Sequence, residues 1–286
     1  MNKCSVCNSL DTFVVKTLAG EALESFSEYS KKYYDGYLES MLDNVKISLC
    51  RCNNCRHFFY SELPSETKIK QMYEIHASRY KESSSRQSAV QQKYKNNILE
   101  SIKKIMPHAK TFLDFGAGNC LWSDTAADYF KVTAYDEHIS RMNHSNKYSL
   151  VSEFADLKTK KFDVIFCNQV LEHLIDPDDV MNKILKMCHS ETLVYISVPN
   201  TQRANYKNFV DDWPYDGKVN HLMAPFQHLQ GYSQKSLRIL SENNNFKKLD
   251  FRKYFNFSSI EFIRSKFGED FDLISTTSIL LRKKKI

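Results

Sequence analysis

No stretch of this sequence approaches the ~20 consecutive apolar residues that a membrane-spanning helix needs. The N-terminus also lacks the apolar segment of a secretory signal peptide. The net charge of +6 over 286 residues is mild, and the basic run Arg282–Lys285 is more typical of a solvated tail than of a nucleic-acid-binding surface. We therefore expect a soluble, cytoplasmic protein whose partner is neither a membrane nor a nucleic acid.

Disulfides are not expected in a reducing cytoplasm, so the eight cysteines are interpreted as metal ligands or free thiols. Five of them lie in the first 55 residues and include two Cys-x-x-Cys pairs. Each pair can direct two sulfur atoms at one ion, as in structural zinc sites, although the 44 residues between the pairs exceed the usual zinc-finger gap. The alternative is that the thiols bind no metal. The predicted zinc ligands are Cys4, Cys7, Cys52 and Cys55, with Cys50 and His57 as substitutes.

The sequence divides into three segments. Apolar residues recur at helical spacing after Pro64, and the polar stretch 81–88 follows them. We expect 1–62 to form a zinc-binding subdomain, 63–89 to form a helical linker or lid, and 90–286 to form the core domain. A helix over Val90–Ile105, ended by Pro107, is predicted to begin the core.

From residue 111 onward predicted strands and helices alternate, which is typical of an α/β fold with a doubly wound parallel sheet. The predicted strands are Thr111–Phe115, Lys131–Tyr135, Ser149–Ser152, Phe162–Cys167, Leu193–Val198, Phe246–Tyr254 and Leu273–Arg282. The predicted helices between them are Leu121–Phe130, Val180–Cys188 and Ser236–Asn243.

The first of these strands runs into Asp-Phe-Gly-Ala-Gly, residues 114–118. Glycine accepts positive φ and lets a ligand approach the backbone closely. A dinucleotide loop would need a third glycine where Leu121 stands, and the carboxylate of Asp114 would repel a phosphate. A ligand with a cationic amino acid end and a neutral adenosine end fits better. The pattern therefore favours S-adenosylmethionine as the cofactor.

Two further positions fit this ligand. Asp136 follows the second predicted strand, where a carboxylate can accept hydrogen bonds from both ribose hydroxyls; the alternative is a surface aspartate. The strand Phe162–Cys167 delivers Asn168 to the carboxyl edge of the sheet, where open α/β sheets bind ligands. His173 follows closely and is a candidate base at neutral pH, or a packed structural histidine.

These motifs together resemble the class I S-adenosylmethionine-dependent methyltransferases. The resemblance rests on the 114–118 loop, Asp136, Val-Leu-Glu-His-Leu-Ile-Asp-Pro over 170–177 and Val-Pro-Asn over 198–200, and it covers roughly residues 90–254. It is strongest to the branch with N-terminal Cys-x-x-Cys pairs, such as sugar C-methyltransferases and related enzymes of glycan and natural-product pathways. The sequence departs from the pattern at Cys120, where a third glycine is common.

The resemblance implies a Rossmann-like core with a small zinc-ribbon-like subdomain before it. It places the methionine end of the cofactor at the 114–118 loop, the ribose at Asp136, the adenine near Phe154 to Asp156, and the sulfonium near Asn168. The implied cofactor-binding residues are Asp114, Gly116, Ala117, Gly118, Asp136, Phe154, Asp156 and Asn168.

Residues 200–232 crowd aromatics and histidines into one loop, which we expect to bind the acceptor. The resemblance implies that His228 is the first candidate for the general base, with His173 second and Tyr232 positioning. A structural histidine is the alternative for both. The resemblance also favours a small polar acceptor, a nucleotide-linked sugar above others. Two other hypotheses stay open: an RNA base methyltransferase that grips RNA with its zinc ribbon, and a non-catalytic cofactor-binding scaffold.

Overall fold

The computed structural model describes residues 3–80, 89–137, 146–201, 206–217, 221–249 and 276–284. The chain divides into two compact units. The first comprises residues 1–84, 171–177 and 198–240, and the second comprises residues 85–170, 178–197 and 241–286. In this division the predicted acceptor loop 200–232 belongs with the N-terminal segment rather than with the core. None of the helices within the described ranges combines the length and the apolar character that crossing a membrane requires.

Eleven strands and seven helices lie in the described part of the chain. The strands are β1 (Thr12–Thr17), β2 (Ser48–Cys52), β3 (Phe58–Tyr60), β4 (Thr111–Phe115), β5 (Lys131–Tyr135), β6 (Ser149–Val151), β7 (Phe162–Asn168), β8 (Cys188–Pro199), β9 (Gln230–Gly231), β10 (Phe246–Lys248) and β11 (Thr276–Lys283). The helices are α1 (Glu21–Tyr34), α2 (Glu66–Tyr80), α3 (Ala89–Ile105), α4 (Leu121–Ala126), α5 (Pro177–Lys186), α6 (Tyr206–Asp211) and α7 (Gln234–Asn243).

The second unit is built on a seven-stranded sheet in the order β6-β5-β4-β7-β8-β11-β10. The five strands from β6 to β8 are parallel, and β10 is antiparallel to β11. The chain starts at β4, adds β5 and β6 on one side, and then returns to add β7 and β8 on the other. This reversal makes the carboxyl ends of β4 and β7 the place where such sheets bind ligands. The predicted α/β, Rossmann-like fold is confirmed.

The core of this sheet is aromatic. Phe166 on β7 stacks on Tyr195 of β8 with ring centroids 4.3 Å apart, and it lies 5.5 Å from Phe112 of β4. All three side chains are buried. A strand covered on both faces needs a continuous apolar run, which explains why β7 was recognisable from the sequence.

Several element boundaries differ from the prediction. The helix predicted to reach Phe130 ends at Ala126, and the helix predicted to reach Cys188 ends at Lys186. Cys188 instead begins β8, where it pairs with Phe162. At the start of β8, His189 and Thr192 form side-chain hydrogen bonds to the Asp163 carboxylate and the Phe162 carbonyl, so no hydrophobic pattern marks this part of the strand. The predicted linker 81–88, residues 250–254 and residues 273–275 lie outside the described residues.

The first unit contains a four-stranded sheet in the order β1-β2-β3-β9, with all neighbours antiparallel. Gly231 on β9 is required there, because a Cβ would lie 2.6 Å from Sδ of Met223 and 2.9 Å from Cβ of Phe58. The segment between the two Cys-x-x-Cys pairs contains α1, which is followed by a 3-10 turn over Tyr37–Leu42. Its helix buries aromatic side chains against Trp213 and Phe226, so the segments 198–240 and 1–84 share one core.

Candidate active site and metal centre

The turn after β4 depends on its glycines. Gly116 and Gly118 have φ of 73° and 50°, which side-chain-bearing residues rarely adopt. A Cβ on Gly116 would also overlap Cγ2 of Val170. The amides of Gly116 and Ala117 both donate to the carbonyl oxygen of Tyr135, at 2.8 and 2.9 Å. The turn is therefore fastened to the end of β5.

The Asp136 carboxylate lies beside the same turn. Its Oδ2 accepts a hydrogen bond from the amide of Gly118 at 3.0 Å, and its own amide donates to the carbonyl of Val151 at 3.2 Å. The side chain is half-buried. The structure thus brings together the glycine turn and the carboxylate that the sequence predicted as two parts of one cofactor site.

Asp114 lies deeper than the loop. It is 2% exposed, and its Oδ2 accepts a hydrogen bond of 2.6 Å from the hydroxyl of Ser123 on α4. Burial raises the pKa of its carboxyl to about 6. Lys95 on α3 donates to the carbonyl of Leu121 at 2.8 Å, and burial lowers the pKa of its ammonium to about 8. Asp114 therefore ties β4 to α4, and contact with a ligand stays a prediction.

The remaining predicted cofactor residues lie in the same unit. Phe154 is half-buried, with its ring 6.2 Å from the ring of Tyr135 and the Lys183 ammonium 5.3 Å from its centroid. Asp156 is exposed. Asn168 ends β7 and is half-buried. Contact of Phe154 or Asp156 with an adenine stays a prediction.

Gln169, directly after β7, has an unusual backbone and an unsatisfied side chain. Its φ is 57°, and its amide donates to the carbonyl of Ser197 at 2.8 Å. Its side-chain Nε2 is buried and has no hydrogen-bond partner among the described residues. Buried donors are almost always paired, so an orphan at the carboxyl edge of the sheet fits a ligand with acceptor atoms. Gln169 is not among the site residues predicted from the sequence.

In the first unit the four predicted cysteine ligands meet. Their sulfur atoms all lie within 4.8 Å of one another, with Cys4 to Cys55 at 3.6 Å and Cys7 to Cys52 at 3.5 Å. Four sulfur atoms bound tetrahedrally at ~2.3 Å would be about 3.8 Å apart. The donor set and its spacing therefore fit one zinc ion.

The two cysteine turns have the same backbone hydrogen bonds. The amide of the first cysteine donates to the carbonyl five residues on, at 3.0 Å for Cys4 and 2.9 Å for Cys52. The residue after each second cysteine has positive φ, 61° for Asn8 and 62° for Arg56, and its amide donates back to the carbonyl of the first cysteine. Each turn therefore directs its two sulfur atoms inward in the same way.

The two substitute ligands do not belong to this group. Cys50 lies on β2 with its thiol 3.7 Å from the Ser48 carbonyl. His57 is fully buried, and its Nε2 is 2.8 Å from Oε1 of Gln230. Within the cysteine group, the hydrogen bond from Cys55 lowers the pKa of the Cys4 thiol, because the two sulfur atoms share one proton.

Both histidines predicted as bases lie in the first unit, close together. The rings of His173 and His228 have centroids 4.8 Å apart and an interplanar angle of 63°. Nδ1 of His173 lies 2.7 Å from the carbonyl of Gln227, and Nδ1 of His228 lies 2.8 Å from the carbonyl of Leu222. A carbonyl oxygen can only accept, so Nδ1 carries the proton in both rings. Nε2 is therefore the basic nitrogen in both neutral imidazoles.

Tyr232 and His221 are buried in the same unit. The Tyr232 hydroxyl donates to the carbonyl of Leu171 at 3.4 Å, so it supports the turn that carries His173. His221 bonds through Nε2 to the carbonyl of Phe209 and through Nδ1 to the amide of Met223. Burial lowers the pKa of its imidazole to about 4. His221 is a structural histidine.

Comparison with known proteins identifies the family. Residues 86–250 match a protein-family model described as a methyltransferase domain, which is more than half of the chain. The chain belongs to this family. Together with the sheet order above, the match confirms the expected enzyme class, an S-adenosylmethionine-dependent methyltransferase. The comparison with curated proteins found no similar sequence.

Two solved structures are similar to this methyltransferase at low sequence identity. The plantazolicin methyltransferase BpumL, solved with a triazolic desmethylPZN analog and SAH, has a TM-score of 0.51 at 12% identity, covering 77% of this chain and 92% of its own. The 1,6-didemethyltoxoflavin-N1-methyltransferase of Burkholderia thailandensis has a TM-score of 0.49 at 14% identity, covering 84% and 96%. Neither likeness bears on the narrower resemblance to sugar C-methyltransferases, which stays a prediction.

Proposed function

We propose that this methyltransferase moves a methyl group from S-adenosylmethionine, bound at the turn after β4, to a small polar acceptor. The observation that carries the proposal is the hydrogen bond between Gly118 and Asp136, which fixes a carboxylate beside a glycine turn at the ligand-binding edge of the sheet. Methyl transfer is an in-line displacement at the sulfonium carbon, so the enzyme must hold the nucleophile about 3–3.5 Å from that carbon.

The chain supplies donors and acceptors for each part of the cofactor. Asp136 would accept from the two ribose hydroxyls, and Phe154 with Asp156 would border the adenine. Asp114 and the turn Gly116–Ala117–Gly118 would lie against the methionine end. Asn168 would lie near the sulfonium. The orphaned Nε2 of Gln169 supports a ligand with acceptor atoms at this edge.

For the acceptor proton we propose His228 as the general base, with His173 as the second candidate. The support is the proton on Nδ1 of each ring, which makes Nε2 the basic atom. Proton removal by a positioned base contributes typically ~10²–10⁴-fold to the rate. Tyr232 would act as a positioning residue through its hydrogen bond to Leu171.

We further propose that Cys4, Cys7, Cys52 and Cys55 bind one structural zinc ion. The support is the repeated backbone geometry of the two turns and the spacing of the four sulfur atoms. Structural zinc sites contribute ~10–16 kcal/mol of apparent binding free energy, and a small unit with such a site depends on the metal to fold.

The acceptor class rests on the resemblance and on chemistry rather than on geometry. We propose a small polar molecule, with nucleotide-linked sugars as the first compounds to examine. The plantazolicin methyltransferase was solved with a triazolic desmethylPZN analog and SAH, which is in line with a small-molecule acceptor but does not bear on the choice of a nucleotide-linked sugar. The mild net charge disfavours RNA as the acceptor.

The test measures formation of S-adenosylhomocysteine by the purified enzyme with a panel of nucleotide-linked sugars. Turnover that requires one of these sugars, and that falls at least tenfold in His228→Asn, is the expected result. Turnover with RNA and with none of the sugars would overturn the acceptor assignment. If turnover is unchanged in both His228→Asn and His173→Asn, the assignment of a histidine as the general base is overturned.

A further inference from the structure

Three side chains of metal-ligand type converge in the first unit, outside the cysteine site. Glu172, His173 and His228 each offer one ligand atom, and these atoms lie within 4.8 Å of one another. The first two are consecutive in a 3-10 turn over Leu171–His173. The amide of Leu229, next to His228, donates to the carbonyl of Glu172 at 2.7 Å, which holds the two chain segments together.

The carboxyl group of Glu172 is the unexplained member of this group. Its residue is 1% exposed, and neither Oε1 nor Oε2 has a hydrogen-bond partner among the described residues. Nε2 of His173 lies 3.9 Å from Oε1 of Glu172, which is beyond hydrogen-bond distance. Buried carboxyl groups are normally paired, hydrogen-bonded or metal-bound, because an uncompensated one opposes folding.

In both imidazoles the nitrogen that is not the proposed ligand atom is held by a hydrogen bond, as in metal-ligating histidines. Each donates its Nδ1 proton to a backbone carbonyl, which fixes the ring and its tautomer and leaves Nε2 as the ligand atom. The carbonyl of Gln227, which holds His173, also accepts from the hydroxyl of Tyr73 at 2.7 Å. The ring of Tyr73 packs edge-on against His173 with centroids 5.7 Å apart. The imidazole of His173 is therefore held on two sides.

We propose that Glu172, His173 and His228 bind a divalent transition-metal cation in this unit. Two imidazole nitrogens and one carboxylate are a donor set suited to such ions, and they leave coordination positions for water or for an oxygen of the acceptor. Metal–ligand bonds of ~2.0–2.2 Å would place neighbouring ligand atoms about 3–3.5 Å apart. The distances between the ligand atoms, now up to 4.8 Å, would therefore shorten by about 1 Å when the cation binds. The cation also balances the buried carboxylate.

The cation site itself does not depend on the proposed function, but the catalytic role of the bound cation rests on it. In the loaded protein both imidazoles are ligands, so the cation would replace His228 in promoting loss of the acceptor proton, and that proton would pass to water. An acceptor hydroxyl bound to the cation would then lose its proton more readily, as metal-bound water does.

The test titrates the full-length protein, with its cysteine site intact, with Mn²⁺, which prefers oxygen and nitrogen ligands to thiolates. Electron paramagnetic resonance measures the free hexaaqua ion. We expect about one Mn²⁺ per chain, with affinity at least tenfold weaker in Glu172→Gln and in His228→Asn. Glu66→Gln and His108→Asn change exposed residues and should bind as the wild type does. No bound Mn²⁺ in the wild type, or equal affinity in both cluster variants, would overturn the proposal.

A second readout separates loss of the site from loss of the fold. Mn²⁺ should raise the melting temperature of the wild type and leave that of Glu172→Gln unchanged. Without the metal, Glu172→Gln keeps the side-chain volume and removes an unpaired carboxyl, so its melting temperature should not fall. S-adenosylmethionine binding by the same variants, measured by calorimetry, should stay at the wild-type level. If the wild-type protein does not bind S-adenosylmethionine, the result counts against the proposed function and not against the cation site.

Discussion

The backbone amide of Gly118 donates a hydrogen bond of 3.0 Å to Oδ2 of Asp136. This bond joins the turn after β4 to the end of β5, across the carboxyl edge of the sheet. The second oxygen of the carboxylate is not used by this bond. The relationship explains how an aspartate 22 residues after Asp114 in the chain becomes part of the same site.

Replacement of Asp136 should remove the ribose contact. We expect Asp136→Ala to weaken S-adenosylmethionine binding by more than tenfold in isothermal calorimetry, since two charge-assisted hydrogen bonds are lost. Asp128→Ala is the matched control, because Asp128 is an exposed aspartate of the same unit. Affinity unchanged in Asp136→Ala would contradict the assignment.

The two glycines of the turn should respond differently to alanine. Gly116→Ala adds a Cβ that overlaps Val170 and strains φ, whereas Gly118→Ala meets no atom within 4 Å and strains φ only. The backbone strain alone costs about 1–2 kcal/mol. We expect a larger fall in melting temperature for Gly116→Ala, with partial recovery in the double variant Gly116→Ala/Val170→Ala. Equal effects of the two single variants would show that Val170 is not the obstacle.

The cysteine site should contain about one zinc per chain in protein purified without chelator. Cys52→Ser removes a ligand, so metal analysis should find the zinc lost and thermal unfolding should show a less stable first unit. Cys50→Ser changes a buried neighbour outside the group and should retain the zinc. Zinc absent from the wild type, or retained in Cys52→Ser, is the contrary result.

The carboxylate of Asp163 should make the free energy of unfolding depend on pH. Desolvation raises the pKa of its carboxyl, but the amides of Lys110 and Thr111, at 2.8 and 2.9 Å, outweigh this and lower the pKa to about 2, from an ordinary 3.8. The stability that this carboxylate adds is therefore present above about pH 4 and is lost as the pH falls through about 2. We expect Asp163→Asn to cost about 1 kcal/mol at pH 7 in urea unfolding. The difference from wild type should shrink from pH 4 to pH 2, and a constant difference would refute the assignment.

The sequence indicated the sheet and the cofactor turn because their signals are local. Apolar runs mark β4 and β7, and the glycines lie next to Asp114 in the chain. The start of β8 was missed because its polar residues are held by side-chain hydrogen bonds. The strands β1 to β3 were missed because such short segments are held by pairing with their neighbours. Long-range pairing is not visible in the spacing of residues.

The histidine site could be predicted only in pieces. His173 and His228 were each candidates from their surroundings, but 54 residues separate them and no pattern links them. Their proximity depends on the hydrogen bond between Leu229 and Glu172, a backbone contact that leaves no mark in the sequence. The buried, unpaired state of Glu172 follows from that tertiary arrangement.

The most direct test of the account uses S-adenosylmethionine labelled in its methyl group, the purified protein and a lysate of its source cells. The products are separated into acid-soluble small molecules, with unreacted cofactor removed by chromatography, and precipitated RNA and protein. We predict label in a small molecule, dependent on the wild-type enzyme and lost with Asp136→Ala. Label confined to RNA or protein, or no transfer at all, would contradict the central claim.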